Sequence, residues 1–233
     1  MLLVFGQAAV AGAESAKALN APPPGFTALF NGQDFTGWRL SPKAKAMWSI
    51  EEGVLKAPAL LEEWGADLET EKKYQDFVLQ ADFRMPAKSD SGIFFRRLIP
   101  DMGNFGQSEL FKIRSDNGMG LLLSFQFMPE NVKKSLGLKA QDLPQIKPVH
   151  PAIKVWHTVK LTVIGTRLMA ELDGDRILDF QYPKGYLAIE PASIRFQKHR
   201  FVEGANPGER NPCPIEYRNI FIKELEHVAG NKK

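Results

Sequence analysis

The feature that most constrains this chain is an alternation of apolar and mixed residues, two positions at a time, in one short run after another. "YQDFVLQADFRM" sets Phe77, Leu79, Ala81 and Phe83 on one side, with Val78, Gln80, Asp82 and Arg84 on the other. "VWHTVKLTVIG" repeats the pattern, with Val155, His157, Val159, Leu161 and Val163 opposite Trp156, Thr158, Lys160 and Thr162. Successive side chains of a strand point to opposite faces, so each run predicts a strand with one buried face. "TRLMAELDGDRILDFQY" reads as two such strands joined at Asp173-Gly174-Asp175, because Asp-Gly tolerates the positive φ of a tight hairpin turn. "FTALFN", "MWSIEEGVLKA", "GLLLSFQFM", "ASIRFQKH" and "IEYRNIFIKEL" add further strands. Helices are expected only as short pieces, around Pro58 to Gly65 and Pro129 to Leu138. Many short strands with little helix predict an all-β fold, a two-sheet antiparallel β sandwich with short helices in its loops.

The chain has 233 residues, enough for one domain with an ample core. It begins "MLLVFGQAAVAGAESA", an apolar run followed by small residues, and "AGA" before Glu14 resembles a signal-peptidase site. The run is too short to span a bilayer, and no later segment is long enough. An export signal with a flexible Pro-rich lead-in is expected over 1–24, a single domain over 25–226 and a tail over 227–233. Export would place the protein in a periplasmic or extracellular setting. The net charge of +3, without an arginine-rich stripe and interleaved aromatics, argues against nucleic acid as a partner. Cys213 is the single cysteine and can form no internal disulfide. A polar, Pro-rich stretch, "KKSLGLKAQDLPQIKPVHPAIK", is the expected long loop.

The common catalytic motifs are absent: no Gly-rich phosphate loop, no His-Glu-x-x-His and no Gly-x-Ser-x-Gly occurs. Glu171 to Arg176, "ELDGDR", fails as the paired acids of a sandwich glycosidase, since Gly174 turns the chain and Arg176 stands where the last glutamate belongs. A solvated hairpin is the better reading. His157 falls on an apolar face and reads as a satisfied core imidazole. Arg195, Gln197 and His199 share one face of "IRFQKH" opposite Ile194 and Phe196, which suits either a ligand groove or a solvated surface. "QSELFKIRSD" puts Glu109 on a face with Phe111 and Ile113. A buried carboxylate is costly unless paired, and burial raises its pKa. Glu109 is therefore either half of an ion pair, with Arg96 as candidate partner, or a titratable catalytic group.

"GFTALFNGQDFTGW", "MWSIEEGVLKA", "YQDFVLQADFRM" leading to "DSGIFFR", "ELDGDRI" and "PIEYRNIFIKEL" follow one another in an order that resembles the DUF1080, or 3-keto-disaccharide hydrolase, family. The resemblance covers about Gly25 to Leu225. It implies a concanavalin A-like jelly roll and an exported protein with a carbohydrate groove for an oligosaccharide or keto-sugar. It puts Arg96 and Arg218 near that groove, matches Glu109 to the acid of one family strand and Gln197 and His199 to another, and sets Trp156 at a family "WN". Asp90 replaces the usual Asn, and Asp116 stands in for a family Asp. The implied reaction removes the C2 proton of a 3-keto-glycoside, expels the glycosidic oxygen from C1 and adds water back. It needs a base and an enolate stabiliser rather than two glycosidase carboxylates. Glu109 or His199 is the expected base and Arg96 the stabiliser, with Gln197, Arg218, Trp156, Asp90 and Asp116 binding substrate. No cofactor is expected; a metal held by His199 and a carboxylate stays open. The competing expectation is a non-catalytic carbohydrate-binding module, with Trp38, Trp64 or Trp156 stacking on sugar rings.

Overall fold

The computed structural model describes residues 18–58, 66–97, 108–115, 118–122, 124, 130–135, 137–184, 186, 190–199, 201–203 and 210–226. Two antiparallel sheets face each other across one apolar core. The larger contains β1 (Thr27–Ala28), β3 (Ser49–Glu51), β4 (Val54–Ala57), β6 (Phe77–Arg84), β9 (His157–Ile164), β10 (Arg167–Leu172), β11 (Asp175–Gln181) and β15 (Ile215–Glu224). Its order is β11-β10-β9-β6-β15-β4-β3, with β1 also on β15. The second sheet runs β2 (Trp38–Arg39), β5 (Leu68–Tyr74), β12 (Ala192–Phe196), β7 (Asp90–Arg97), β8 (Ser108–Arg114). A small hairpin pairs β13 (Phe201–Glu203) with β14 (Arg210–Pro212).

The alternation in the sequence is realised in the packing. Phe77, Leu79, Ala81 and Phe83 of β6 are buried, as are Val159, Leu161 and Val163 of β9. From the other sheet, Leu68, Ile93, Phe95, Phe111, Ile113, Ile194 and Phe196 fill the same core. Ser91 stitches the layers together, with its Oγ 2.8 Å from Tyr217 Oη of β15 and donating to Gln197 O at 2.7 Å. Asp173 and Gly174, at φ 52° and 89°, make the expected hairpin turn between β10 and β11. His157 is the satisfied imidazole expected of it: Nδ1 meets Asp173 Oδ2 at 2.6 Å and Nε2 meets Ala152 O at 2.9 Å.

Helix is sparse. The segment expected around Pro129 to Leu138 contains α2 (Glu130–Ser135), after α1 (Pro42–Met47). Sequence reading overlooks α1, although Ser41 caps Ala44 N and Pro42 opens its first turn. The helix expected around Pro58 to Gly65 falls on 59–65, outside the described residues, as do Trp64, Asp116, the leader 1–13 and His227.

The expected lead-in is partly built into the domain. β15 pairs with β4 through Ile215–Tyr217 and then with β1 through Phe221 and Ile222. At this change of neighbour Asn219 takes φ 50°, and Asn20, at φ 60°, fills the gap. Each asparagine backbone N–H donates to the other's side-chain Oδ1 at 2.8 Å, and Asn20 Nδ2 donates to Gly53 O at 2.8 Å. The fold thus engages the chain before Gly25.

Candidate active site

Strand register arranges the outer face of the five-stranded sheet in rows. Arg39 pairs with Glu69, Glu69 with Arg195, Arg195 with Phe94 and Phe94 with Leu110. Two residues further along, Gln197 N donates to Gly92 O at 2.8 Å and Gly92 pairs with Lys112. Asp67 adjoins Gln197 on the other side, one position past the Phe196–Leu68 pair, and accepts from Lys198 N at 3.1 Å. The next row brings Asp90 opposite Arg114, with His199 following the end of β12. Gly92 is required here: a Cβ at this position would stand 2.4 Å from Leu110 Cδ1 and 2.7 Å from Phe111 O.

The Asp90 end of this face is charged and enclosed. Lys112 Nζ donates to both Asp90 oxygens, at 3.1 and 3.0 Å, and Arg114 NH1 lies 3.5 Å from Oδ2. The Asp90 and Lys112 side chains are only 4% and 8% exposed. Burial pulls the His199 pKa down to about 4; Asp90 opposes this, while Lys112, Arg114 and Lys198 reinforce it. The imidazole is therefore neutral near pH 7. Cys213 Sγ lies 3.9 Å from His199 Nδ1, and burial lifts that thiol to about 11, so it stays protonated. Gln197 is 6% exposed, and its Oε1 has no hydrogen-bond partner among the described residues.

Strand register thus places Asp90 and Gln197 towards the His199 end of this face, with Lys112, Arg114 and Arg195. The remaining expected site residues lie elsewhere. Glu109 faces inward with Phe111 and is wholly buried, so it is not over the groove. Its carboxylate accepts from Ser124 Oγ, Ser124 N (3.2 Å), Leu110 N (3.0 Å) and Tyr182 Oη (3.1 Å). Burial raises its pKa against the pull of these hydrogen bonds. The expected Glu109–Arg96 pair does not form.

Strict alternation would place Arg96 on the outer face with Asp90, Gly92 and Phe94. Instead, β7 carries a bulge between Phe95 and Arg97, and Arg96 has φ 50°. The bulge redirects the side chain to Asp76 Oδ1, at 2.6 Å, and to Gln75 O. The pair is fully enclosed, with Arg96 0% and Asp76 2% exposed. Arg96 is a structural cation rather than a groove arginine.

Trp156 and Arg218 sit on the outer face of the other sheet, across the sandwich from His199. The Trp156 ring meets the Arg84 and Arg218 guanidiniums at 4.6 and 4.1 Å. A cleft of about 490 Å³ nearby is lined in part by Lys56, Arg84 and Glu216. Its cations are already paired, Arg84 with Glu216 at 2.5 Å and Lys56 with Glu51 at 2.6 Å. Trp38, another candidate sugar platform, is in the core against Phe196. Among the described residues, no group of three or more His, Cys, Asp or Glu could hold a metal ion, and no helix is long and apolar enough to cross a membrane.

The sequence signal for Lys112 and Arg114 is strand parity, which sets them on the face opposite Glu109. Asp67 had no comparable signal, because its place depends on the β5–β12 pairing.

The sequence profile of the 3-keto-alpha-glucoside-1,2-lyase-like domain matches residues 25–223. Solved structures resemble the fold at low identity. A candidate glycosyl hydrolase from Parabacteroides distasonis ATCC 8503 is 19% identical, with TM-score 0.59, over 90% of this chain and 100% of its own. A second from that organism is 18% identical, with TM-score 0.55, over 86% and 99%. A third is 17% identical, with TM-score 0.52, over 96% and 100%. No curated protein matches the sequence. These structures share the two-sheet sandwich architecture of this chain.

Proposed function

Since the chain belongs to the 3-keto-alpha-glucoside-1,2-lyase-like domain family, we propose that it cleaves 3-keto-glycosides by elimination at the His199 end of the five-stranded sheet. The observation that carries this reading is the enclosed Asp90–Lys112–Arg114 cluster at the strand end that leads to His199. A C3 ketone acidifies the C2 proton, so a modest base suffices. His199 takes that proton, and the C–H electron pair moves through C2–C3 onto the ketone oxygen. Lys112 or Arg114 stabilises the resulting enediolate as its negative charge develops. The pair then returns to form C1=C2 and break the bond from C1 to the glycosidic oxygen. That oxygen leaves with a proton from the imidazolium, which restores neutral His199. Water adding across C1=C2 would complete a net hydrolysis.

Neither an inward-facing Glu109 nor Arg96 is needed in this scheme. Both of its roles, base and cation, come from one face of one sheet. The reading includes export, supported by the apolar run and "AGA" in residues 1–13.

The test is incubation with a disaccharide oxidised at C3 and with its unoxidised parent. Release from the keto form alone is expected, and His199→Asn should lower turnover by roughly 10²–10⁴-fold with melting unchanged. Equal release from both sugars would overturn the reading. Saturable binding without release would favour a carbohydrate-binding module.

A further inference from the structure

The hairpin of β13 and β14 returns the chain to the Asp90 cluster. Phe201 pairs with Pro212 at its base, so Cys213 emerges beside His199, which lies two residues before Phe201. Cys213 stands between Pro212 and Pro214. Pro212 has a fixed φ, and Pro214 disfavours helical backbone at the cysteine before it. The thiol is thus aimed by stiff backbone, and it is fully buried. His199 is anchored as well, since Lys198 Nζ donates to its carbonyl oxygen at 2.8 Å.

The sulfur meets two groups of the site. It accepts from the Asp90 backbone N–H, and it lies 3.9 Å from His199 Nδ1. Burial keeps the thiol protonated and the imidazole neutral near pH 7. The contact is therefore between two uncharged groups and is not a thiolate–imidazolium pair. One proton on the ring then decides what His199 can do. With Nδ1 protonated, its N–H points at the sulfur and the basic lone pair is on Nε2. With Nε2 protonated, the lone pair is on Nδ1, at the edge of the ring that the buried sulfur occupies.

We propose that Cys213 is a positioning residue for His199: its sulfur accepts from Nδ1–H, which fixes the ring and keeps the basic lone pair on Nε2. This rests on the elimination reading above, in which His199 takes the C2 proton. Cys213 itself touches neither substrate nor the reacting atoms. Sulfur is a weak acceptor, so its effect is a bias between tautomers, of the size of one modest hydrogen bond.

Nitrogen-15 NMR of the full chain at pH 7 tests this without substrate, because the shifts of the two ring nitrogens report the tautomer. The chain has four histidines, and the signal missing from His199→Asn identifies His199. Wild type should show the Nδ1–H form, and Cys213→Ala should move towards Nε2–H. Cys213→Ser keeps an acceptor in nearly the same place and should stay closer to wild type. On a 3-keto-glycoside, Cys213→Ala should lower kcat about 3–10-fold with KM unchanged, and Cys213→Ser should recover most of the loss. The Nε2–H form in wild type, or an unchanged tautomer in Cys213→Ala, would overturn the proposal even if that variant were slower. Should alanine at this buried position fail to fold, the wild-type spectrum and the serine variant decide. Should wild type cleave no 3-keto-glycoside, the elimination reading fails, and the tautomer still decides whether Cys213 sets the ring.

Discussion

Removing the Arg96 cation separates the structural role found here from the catalytic one expected of it. In Arg96→Met, the Asp76 carboxylate keeps its bond from Gly165 N at 2.8 Å but loses the Arg96 guanidinium. Gln75 O loses a donor as well. Both side chains are almost wholly buried, and breaking such a pair costs about 3–5 kcal/mol. In a domain of this size each kcal/mol moves the melting temperature by about 2–4 °C, so Tm should fall by about 6–20 °C. The left-handed backbone at residue 96 adds little to this difference, since arginine and methionine both carry a Cβ there. Asp76→Asn attacks the same pair from the other side and keeps the Gly165 contact, so its loss should lie at the lower end of that range. Thermal melting and turnover on the 3-keto substrate are measured on the same samples below the transition. Early melting with normal turnover per folded molecule is expected. Unchanged melting with turnover lowered a hundredfold or more would place Arg96 on the substrate and refute the assignment.

Four further outcomes follow from named contacts. The acid limb of kcat/KM should fall near pH 4, where His199 protonates in the folded protein; a limb at pH 6–7 would make an ordinary histidine, or another group, the base. Glu109 has a raised pKa, so its neutral form favours folding; that contribution is complete below about pH 4 and lost as pH rises through the folded value. Glu109→Gln should therefore gain stability relative to wild type as pH rises from 4 to 7 in melting experiments, with turnover retained, and a constant difference would remove the buried-charge explanation. Asn20→Ala should cost about 2–4 kcal/mol in urea unfolding, from two lost hydrogen bonds and a left-handed alanine, with Asn20→Gly recovering about 1 kcal/mol. N-terminal sequencing of protein exported by its native host should show residues 1–13 removed, and Met1 retained would sink the export proposal.

The sheets were legible because burial in a sandwich has the same period as the strand itself. Leu79 and Leu161 point inward for the reason that Gln80 and Lys160 do not, and no distant contact is needed to see it. Asp173-Gly174 fixed one hairpin by local backbone preference alone. The same period misplaces Arg96, because a single extra residue in β7 shifts the parity after Phe95, and "IFFRR" contains nothing that announces a bulge. Glu109 was correctly grouped with Phe111 and Ile113, but the partners that make its burial tolerable, Ser124 and Tyr182, lie 15 and 73 residues away. Arg218 belongs to a strand of the other sheet and Trp156 immediately precedes one, and strand alternation cannot say which of two sheets a strand joins. That information lies in the pairing of β15 with β6 and of β6 with β9.

The charge balance around Asp90 gives the proposed reaction its physical logic. Among the described residues, Asp90 faces both Lys112 and Arg114, and Lys112 is only 8% exposed, so these cations lie where water screens them little. Burial is the first cause of a His199 pKa near 4, and Lys112, Arg114 and Lys198 add to it. A neutral 3-keto sugar gains little from those cations. The enediolate would gain more, because its negative charge appears on the ketone oxygen within their field. Stabilisation is then greatest at the transition state, the condition for raising kcat rather than only tightening binding. The same cations that depress the resting basicity of His199 lower the energy of the anion it creates. Replacing Lys112 by methionine should therefore raise the His199 pKa and slow the reaction together, whereas a base acting independently of its surroundings would become faster as its pKa rose.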